Sequence, residues 1–552
     1  STEAGAPIVP GLRSLSGEPV QPEVNAMERQ SLLRRERRGV RKGIGVMLLG
    51  LASLHLLWQA PAAAEPAGGA LRVSAGIVDH QVVQRGTSGA ADIELSGTAP
   101  PEASGAVSAI IRHAGKPLRG FEDREIGRSE AGAWSAALQA VPAGGPYRIE
   151  LSVRDRGGRS LAAATVDDVL VGDLWLLAGQ SNMQGAGLLE NVEPPSDRVH
   201  SFDLADRWVV ASEPLHRLLE AVDPVYWGGA YPNREERERA AAAIRAKETK
   251  GAGLGLPFAT DIVRRTGIPI GLIPCALGGT AIARWDPALR DQGGASLYGA
   301  LVRRFRAAGG RVTGVLWYQG EADARQPAAA AIYGERLRGL IEALRRDSGQ
   351  PALPFYFVQL GRMLEWIYFP DPSRRPATLD AQWTAVREAE RRVAADVPAT
   401  GMVPAADLEL EDSIHINTGD LKRVARRLAR LVARDVYGER PLEAAISLHA
   451  IEHDPAAERI LVRFAGVHGR LRSAGRITGF SIRREDGSEV PAIFAAQVDP
   501  SDPATVVLRY QWPLPARVGL VYGWGINPNC NLVDDADMAP PCFGPVELSG
   551  HR

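Results

Sequence analysis

The stretch Leu174-Trp-Leu-Leu-Ala-Gly-Gln-Ser-Asn-Met183 decides how the chain is read. An uncharged apolar run ends abruptly in Gly179-Gln180-Ser181-Asn182-Met183, and small residues follow in Gln184-Gly-Ala-Gly187. A run that is apolar on both faces reads as a central strand of a parallel sheet. Open α/β sheets bind their ligands outside the carboxyl ends of such strands. A serine placed there meets solvent near the start of the next helix, where free backbone N–H groups favour negative charge. Two readings fit the stretch alone: a plain strand-to-helix turn with Ser181 as its N-cap, or a turn that presents Ser181 as a nucleophile.

Outward from this stretch, strands and helices alternate from Asp167 to about Arg440. Ile270-Gly-Leu-Ile-Pro-Cys-Ala-Leu277 runs into Gly278-Gly279-Thr280, and Gly314-Val-Leu-Trp-Tyr-Gln-Gly320 runs into Glu321-Ala-Asp323. Pro354-Phe-Tyr-Phe-Val-Gln-Leu360 reads as a fourth strand and 401–408 as a fifth. Helical stretches lie between them, at 258–265, 297–307 and 332–346. Such alternation predicts right-handed crossovers and a parallel sheet covered on both faces, a three-layer α/β/α domain over 167–440. The charged stretch 234–250 reads as a solvated helix or lid. Leu421, Val424, Ala425, Leu428, Ala429 and Val432 recur at helical spacing, so a helix packs on the sheet there. Leu410-Glu-Asp-Ser-Ile-His-Ile-Asn-Thr418 is the loop that feeds it.

The flanks are β in pattern. From Leu71 to Val166, alternating strands (Ile93 and Leu95; Ile149, Leu151 and Val153) are separated by Pro- and Gly-rich breaks, as in a β-sandwich. Ile460-Leu-Val-Arg-Phe464, Ile482 before the Asp486-Gly487 turn, and Val506-Val-Leu-Arg-Tyr510 predict a second such unit over 441–552. Residues 1–64 stand apart. A polar stretch without periodicity precedes a basic segment containing Arg34, Arg35, Arg37, Arg38, Arg41 and Lys42, an uncharged apolar run from Gly43 to Trp58, and Ala60-Pro-Ala-Ala-Ala64. That order is a disordered N-terminus followed by an export signal. The run is short of the ~20 residues a spanning helix needs, and it is either cleaved or kept as an N-terminal anchor. The location expected is periplasmic or secreted.

Composition excludes more than it selects. Across 552 residues, 45% hydrophobic and 23% charged with a net charge of −1, nothing points to nucleic acid or an anionic membrane surface. Basic residues are almost all arginine; the lysines are Lys42, Lys116, Lys247, Lys250 and Lys422. The cysteines are Cys275, Cys530 and Cys542. Cys275 sits in an apolar run and reads as a small buried hydrophobe. Cys530 and Cys542 share one Pro/Gly/Asn-rich segment and could close a small loop. No Cys/His cluster predicts a metal, and no cofactor is expected.

Ester hydrolysis by a serine needs a base for the hydroxyl proton, an acid to orient that base, and donors for the oxyanion. His415 can be the base. Asp412, three residues earlier in the same loop, can reach the imidazole and hold its tautomer. Backbone N–H groups of Ser181 and of the Gly278-Gly279 turn can serve the oxyanion, with the side-chain amide of Gln319 as a third donor; each is worth roughly 10²–10³ in rate. Glu321 and Asp323 form a paired-carboxylate pattern open to glycosidase chemistry; a bracing role, through hydrogen bonds or with Arg284, is preferred. Trp227, Tyr231, Arg284 and Trp285 are candidates to meet the substrate.

These blocks carry a resemblance. Gly179-Gln-Ser-Asn-Met183, Pro274-Cys-Ala-Leu-Gly-Gly-Thr280 with Trp285, Trp317-Tyr-Gln-Gly-Glu321 and Asp412-Ser-Ile-His415 resemble those of the sialate O-acetylesterase family, a carbohydrate-esterase branch of the SGNH hydrolases that also holds acetylxylan esterases. Asp79-His-Gln-Val-Val-Gln-Arg85, Gly144-Gly-Pro-Tyr147, Arg509-Tyr-Gln-Trp512 and Asn529-Cys-Asn-Leu532 extend it over about 71–543. The resemblance implies an SGNH-type fold and removal of O-acetyl groups from a carbohydrate. It implies Ser181 as nucleophile, His415 as base, Asp412 as acid, and Gly279 and Gln319 at the oxyanion. The wider superfamily has an asparagine in its third block, where Gly320-Glu-Ala-Asp323 has alanine. A xylan or pectin deacetylase, or an arylesterase, would use the same machinery; a glycan-binding protein would need none of it.

Overall fold

The computed structural model describes residues 69–366, 368–511 and 513–548; the segment expected to direct export lies outside the described residues. The molecule is mixed α/β and built on one large mixed sheet. Its parallel part comprises β1 (Ser160–Gly179), β2 (Val199–Phe202), β3 (Ile270–Pro274), β4 (Gly314–Tyr318), β5 (Phe355–Gln359) and β6 (Thr400–Pro404). In space they run β2-β3-β1-β4-β5-β6. The chain visits β2 and β3 on one side of β1 and then crosses to β4 on the other. That reversal opens a crevice at the carboxyl end of β1, where ligands of such sheets bind.

Strand β1 joins two regions. Residues 160–171 pair antiparallel with Gly144–Arg154 of the N-terminal strands, with register shifts after Val166 and Val169, while 173–179 lie parallel between β3 and β4. The boundary expected at 166/167 therefore falls inside one continuous strand. Asp173, the only charged residue of the buried half, is held by the guanidinium of Arg85 at 2.9 and 3.0 Å. A buried carboxylate must be paired in this way.

Side chains of β1 alternate between two cores, as the period of a strand requires. Trp175 and Leu177 pack with α2 (Gly255–Thr266) and α6 (Thr418–Asp435), through Phe258, Ile262, Leu421 and Leu428. Leu174, Leu176 and Ala178 pack on the other face with α3 (Leu297–Ala307), α4 (Tyr333–Asp347) and α5 (Leu379–Asp396). Helix α6 follows the expected apolar stripe, and the side chain of Asn417 caps it by accepting from the N–H of Asp420. The charged stretch does form a helix with no buried residue, Arg234–Arg245.

Beyond α6 the chain forms two four-stranded antiparallel sheets that share one apolar cluster, with Ile460, Phe464 and Leu508 from one and Ile482, Tyr522 and Phe543 from the other. This part reaches back to β5. Gln359 donates to the carbonyl of Cys542 (2.9 Å) and accepts from its N–H (2.8 Å). The fully buried guanidinium of Arg387 on α5 donates to the carbonyls of Gly523 and Gly525. Cys530 and Cys542 do come side by side near Gly523, as buried free thiols. Cys275 is buried, as its apolar run implied. No helix among the described residues is long and apolar enough to cross a membrane.

Candidate active site

The serine turn is made by backbone that only glycine tolerates. Gly179 ends β1 at φ +135°, and a Cβ there would collide with the carbonyl of Tyr318 on the neighbouring strand. The chain then enters the single helical turn α1 (Ser181–Gln184). Its N-cap is Gln180, whose carbonyl accepts from the N–H groups of Met183 and Gln184. Ser181 is thus not the cap. It is the first helical residue, its N–H has no acceptor among the described residues, and its Oγ lies 2.9 Å from Nε2 of His415.

His415 reaches the turn from the loop before α6. A bridge between Leu410 and Ile416 pinches that loop, and the N–H of Glu411 donates to the carbonyl of His415. Inside it, Oδ1 of Asp412 accepts from the backbone N–H groups of Ile414 (3.1 Å) and His415 (3.0 Å). The same carboxylate meets Nδ1 of His415 at 2.9 and 3.0 Å. The spacing of three residues works because Asp412 ties its own loop while holding the ring. Its Oδ2 also accepts from Nζ of Lys250 at 2.9 Å. Burial acts against the charged carboxylate, but the hydrogen bonds and charges of His415 and Lys250 outweigh it and hold Asp412 well below the usual carboxylate range. An imidazole fixed by an ionised carboxylate at Nδ1, with Nε2 on a serine hydroxyl, can take the serine proton.

A second polar cluster lies behind the turn. Asn182 donates through Nδ2 to Oε1 of Glu321 (2.7 Å) and accepts through Oδ1 from the N–H of Ile416 (3.0 Å). It ties the serine turn to the histidine loop across the sequence. Glu321 is 3% exposed, and its Oε2 has no hydrogen-bond partner among the described residues. Burial pushes its carboxyl up, against the opposing hydrogen bond from Asn182. Asp323 is likewise pushed up by burial, while accepting from the N–H of Ile282 (2.8 Å) and from Gln319 (2.7 Å). Both acids brace the site through hydrogen bonds, as preferred from sequence, but neither pairs with Arg284.

The expected oxyanion donors divide. The N–H of Gly279, at φ +70°, has no acceptor among the described residues, whereas that of Gly278 is held by Oε1 of Gln184 at 2.8 Å. Gly278 touches the serine instead: a Cβ on it would stand 3.4 Å from that of Ser181. The Gln319 assignment needs correction. Its side chain is fully buried, and its amide N–H groups face Oδ2 of Asp323, the carbonyl of Thr280 (3.0 Å) and Oε1 of Gln180 (3.2 Å). An amide engaged by three acceptors has no donor left for the crevice, so Gln319 knits the loops after β1, β3 and β4 together. Trp285 is also corrected. At 1% exposed, edge-on to Trp317 at 5.3 Å, it is core and not substrate contact. Arg284 beside it is exposed and has no carboxylate partner among the described residues. Trp227 is covered by the guanidinium of Arg237 at 4.7 Å, and Tyr231 is half-buried in the approach to the solvated helix.

Sequence reasoning missed Asn182 and Lys250. The first sits inside the serine block, where its side chain had been given no task. The second was legible only as a rare lysine in an arginine-rich chain. It stands on the short strand Lys250–Ala252, paired with Gly187–Leu188 just after the serine turn. Among the described residues no group of three or more His, Cys, Asp or Glu side chains gathers as for a metal ion.

Residues 171–434 match the model of the family described as carbohydrate esterase, sialic acid-specific acetylesterase. A probable carbohydrate esterase of Arabidopsis thaliana is 34% identical over 208 residues, spanning 34% of this chain and 68% of that protein. The crystal structure of a carbohydrate acetylesterase from Xanthomonas citri shares the fold, with a TM-score of 0.58 at 24% identity over 86% of this chain and 99% of that one. The chain belongs to the sialic acid-specific acetylesterase family of carbohydrate esterases. It is accordingly a carboxylic ester hydrolase of the carbohydrate acetylesterase class.

Proposed function

We propose that the protein is an exported serine esterase that removes O-acetyl groups from carbohydrates through an acetyl-enzyme, with Ser181 as nucleophile, His415 as base and Asp412 as orienting acid. The observation that carries this reading is the continuous contact from Oγ of Ser181 to Nε2 of His415 at 2.9 Å, and from Nδ1 to Asp412. In the first half-reaction Oγ attacks the acetyl carbonyl while Nε2 takes its proton. The oxyanion meets the N–H groups of Ser181 and Gly279, which nothing in the described residues claims. Collapse expels the sugar oxygen, protonated by His415. In the second, His415 takes a proton from water, which attacks the acetyl group, and acetate leaves as Oγ regains its proton.

The parallel sheet with helices on both faces supports an SGNH-type three-layer domain over 167–440, and the antiparallel strands on either side support separate β units over 71–166 and 441–552. Export rests on the order of basic, apolar and small residues in 1–64.

The test is acetate release by wild type and Ser181→Ala from O-acetylated sialic acid, acetylated xylan, acetylated pectin and an aryl acetate. The expected loss in the variant is roughly 10⁴–10⁶ in kcat with the fold intact. Serine-dependent release from one glycan identifies the substrate class. Release that survives in the variant would rule out the mechanism.

A further inference from the structure

Trp366 is 69% exposed, the most exposed of the large hydrophobic side chains among the described residues. Each of the other described tryptophans has a ring, a guanidinium or a carbonyl against its indole. Trp366 has none of these among the described residues. Its surroundings are also apolar: Leu364 is exposed, and Tyr368 and Phe369 are half-buried.

This segment lies against the loop that carries Asp412 and His415. The N–H of Leu364 donates to the carbonyl of Ser413 at 2.6 Å, and the Tyr368 hydroxyl lies close to the Ser413 side chain. The guanidinium of Arg325 covers the ring of Tyr368 at 5.2 Å and Phe369 is half-buried, whereas the ring of Trp366 is open to solvent. Glu365 pairs with Arg375, which also holds Asp380 at 2.8 Å, so the segment is anchored on its far side. Two residues from a contact with Ser413, Trp366 stands within roughly 13 Å of it, given the spacing of consecutive Cα atoms.

We infer that Trp366 is a stacking platform for a pyranose ring of the acetylated saccharide, which holds the sugar while one of its acetyl groups lies at Ser181. The inference rests on the esterase reading above and adds the subsite to it. The aliphatic C–H face of a pyranose carries partial positive charge and meets the negative face of an indole, and an uncovered indole gains by leaving water. A flat ring, on a segment anchored against the loop of Asp412 and His415, suits a sugar better than a flexible chain.

The test compares wild type, Trp366→Ala and Trp366→Tyr on acetylated xylo-oligosaccharide, O-acetylated N-acetylneuraminic acid and 4-nitrophenyl acetate. Trp366→Ala is expected to raise KM for the preferred saccharide about tenfold with kcat within about threefold, the effect of one lost ring contact on binding and not on chemistry. The ratio of saccharide to aryl-ester kcat/KM falls accordingly, and tyrosine restores most of it. A ratio unmoved by alanine, an equal loss on both kinds of ester, or tyrosine no better than alanine would overturn the platform. So would a wild type that cleaves the aryl ester and neither saccharide. Full activity of Ser181→Ala would instead remove the serine mechanism, while the saccharide ratio would still report on Trp366.

Discussion

Asp412 and Glu321 both reach the serine turn from neighbouring loops, the first through His415 and the second through Asn182. Asp412 is 34% exposed, accepts from an imidazole, an ammonium and two backbone N–H groups, and lies well below the usual carboxylate range. Glu321 is buried, accepts from Asn182, has one oxygen without a partner among the described residues and has its carboxyl pushed up. Beside it Glu390 is driven further up by burial, and its Oε2 accepts the N–H of Leu360. Two carboxylates of similar intrinsic acidity thus end with opposite tendencies. A side chain that must stay charged to hold a histidine is surrounded by donors, and one that only spaces two loops is left dry.

Substitutions that keep shape and remove charge can break that contrast. Asp412→Asn is expected to lower kcat by roughly 10³–10⁴, because an amide donates to Nδ1 and turns the other ring nitrogen's proton toward the serine. Glu321→Gln removes the same charge and is expected to lower kcat by less than about fivefold, since the amide oxygen can still accept from Asn182 and the site already favours a neutral group. Comparable losses in the two variants would end the distinction. The same pair separates in thermal melts over two windows, below about pH 4 for Asp412 and above about pH 4.5 for Glu321. Asp412, depressed on folding, contributes stability that is present above the ordinary carboxylate range and lost as pH falls through its folded value. Glu321, raised on folding, contributes most below that range and loses it as pH rises. The Tm difference between variant and wild type should therefore become more negative with pH for Asp412→Asn and more positive for Glu321→Gln.

A smaller effect sharpens the electrostatic side. Lys250→Met removes a cation from Asp412 and leaves the carboxylate to His415 and the N–H groups of its own loop. One of the interactions that hold Asp412 below the usual carboxylate range is then lost, so the fall in stability on acidification should begin at higher pH than in wild type, with kcat at neutral pH changed less than about threefold. An acid transition that stays in place would show that Lys250 only pins the strand Lys250–Ala252.

Much of this was legible in the sequence, and what was not has physical causes. The apolar run of β1 marked its buried strand because both faces are covered, and Asp412 and His415 stood out as a pair because only two residues of one loop separate them. Gln319 lies at the strand end expected of a donor. Its amide is nonetheless claimed by Thr280 and Asp323, and one-dimensional spacing cannot show which acceptors a buried amide meets. Trp285 failed as a substrate contact for a similar reason: its packing partner, Trp317, belongs to a different strand. The Lys250–Asp412 pair spans 162 residues, and the continuity of β1 through 166/167 needed the pairing on both sides of the strand. Trp366 is the opposite case, a ring with no stacking partner among the described residues.

The most direct measurement of the central claim is rapid quench of wild type and Ser181→Ala with an acetyl ester, followed by peptide mapping by mass spectrometry. The account predicts one acetyl group on the peptide containing Ser181 at times shorter than a turnover, and none in the variant. Steady release of acetate by wild type with no acetyl group ever carried on Ser181, together with undiminished release by the variant, would contradict it.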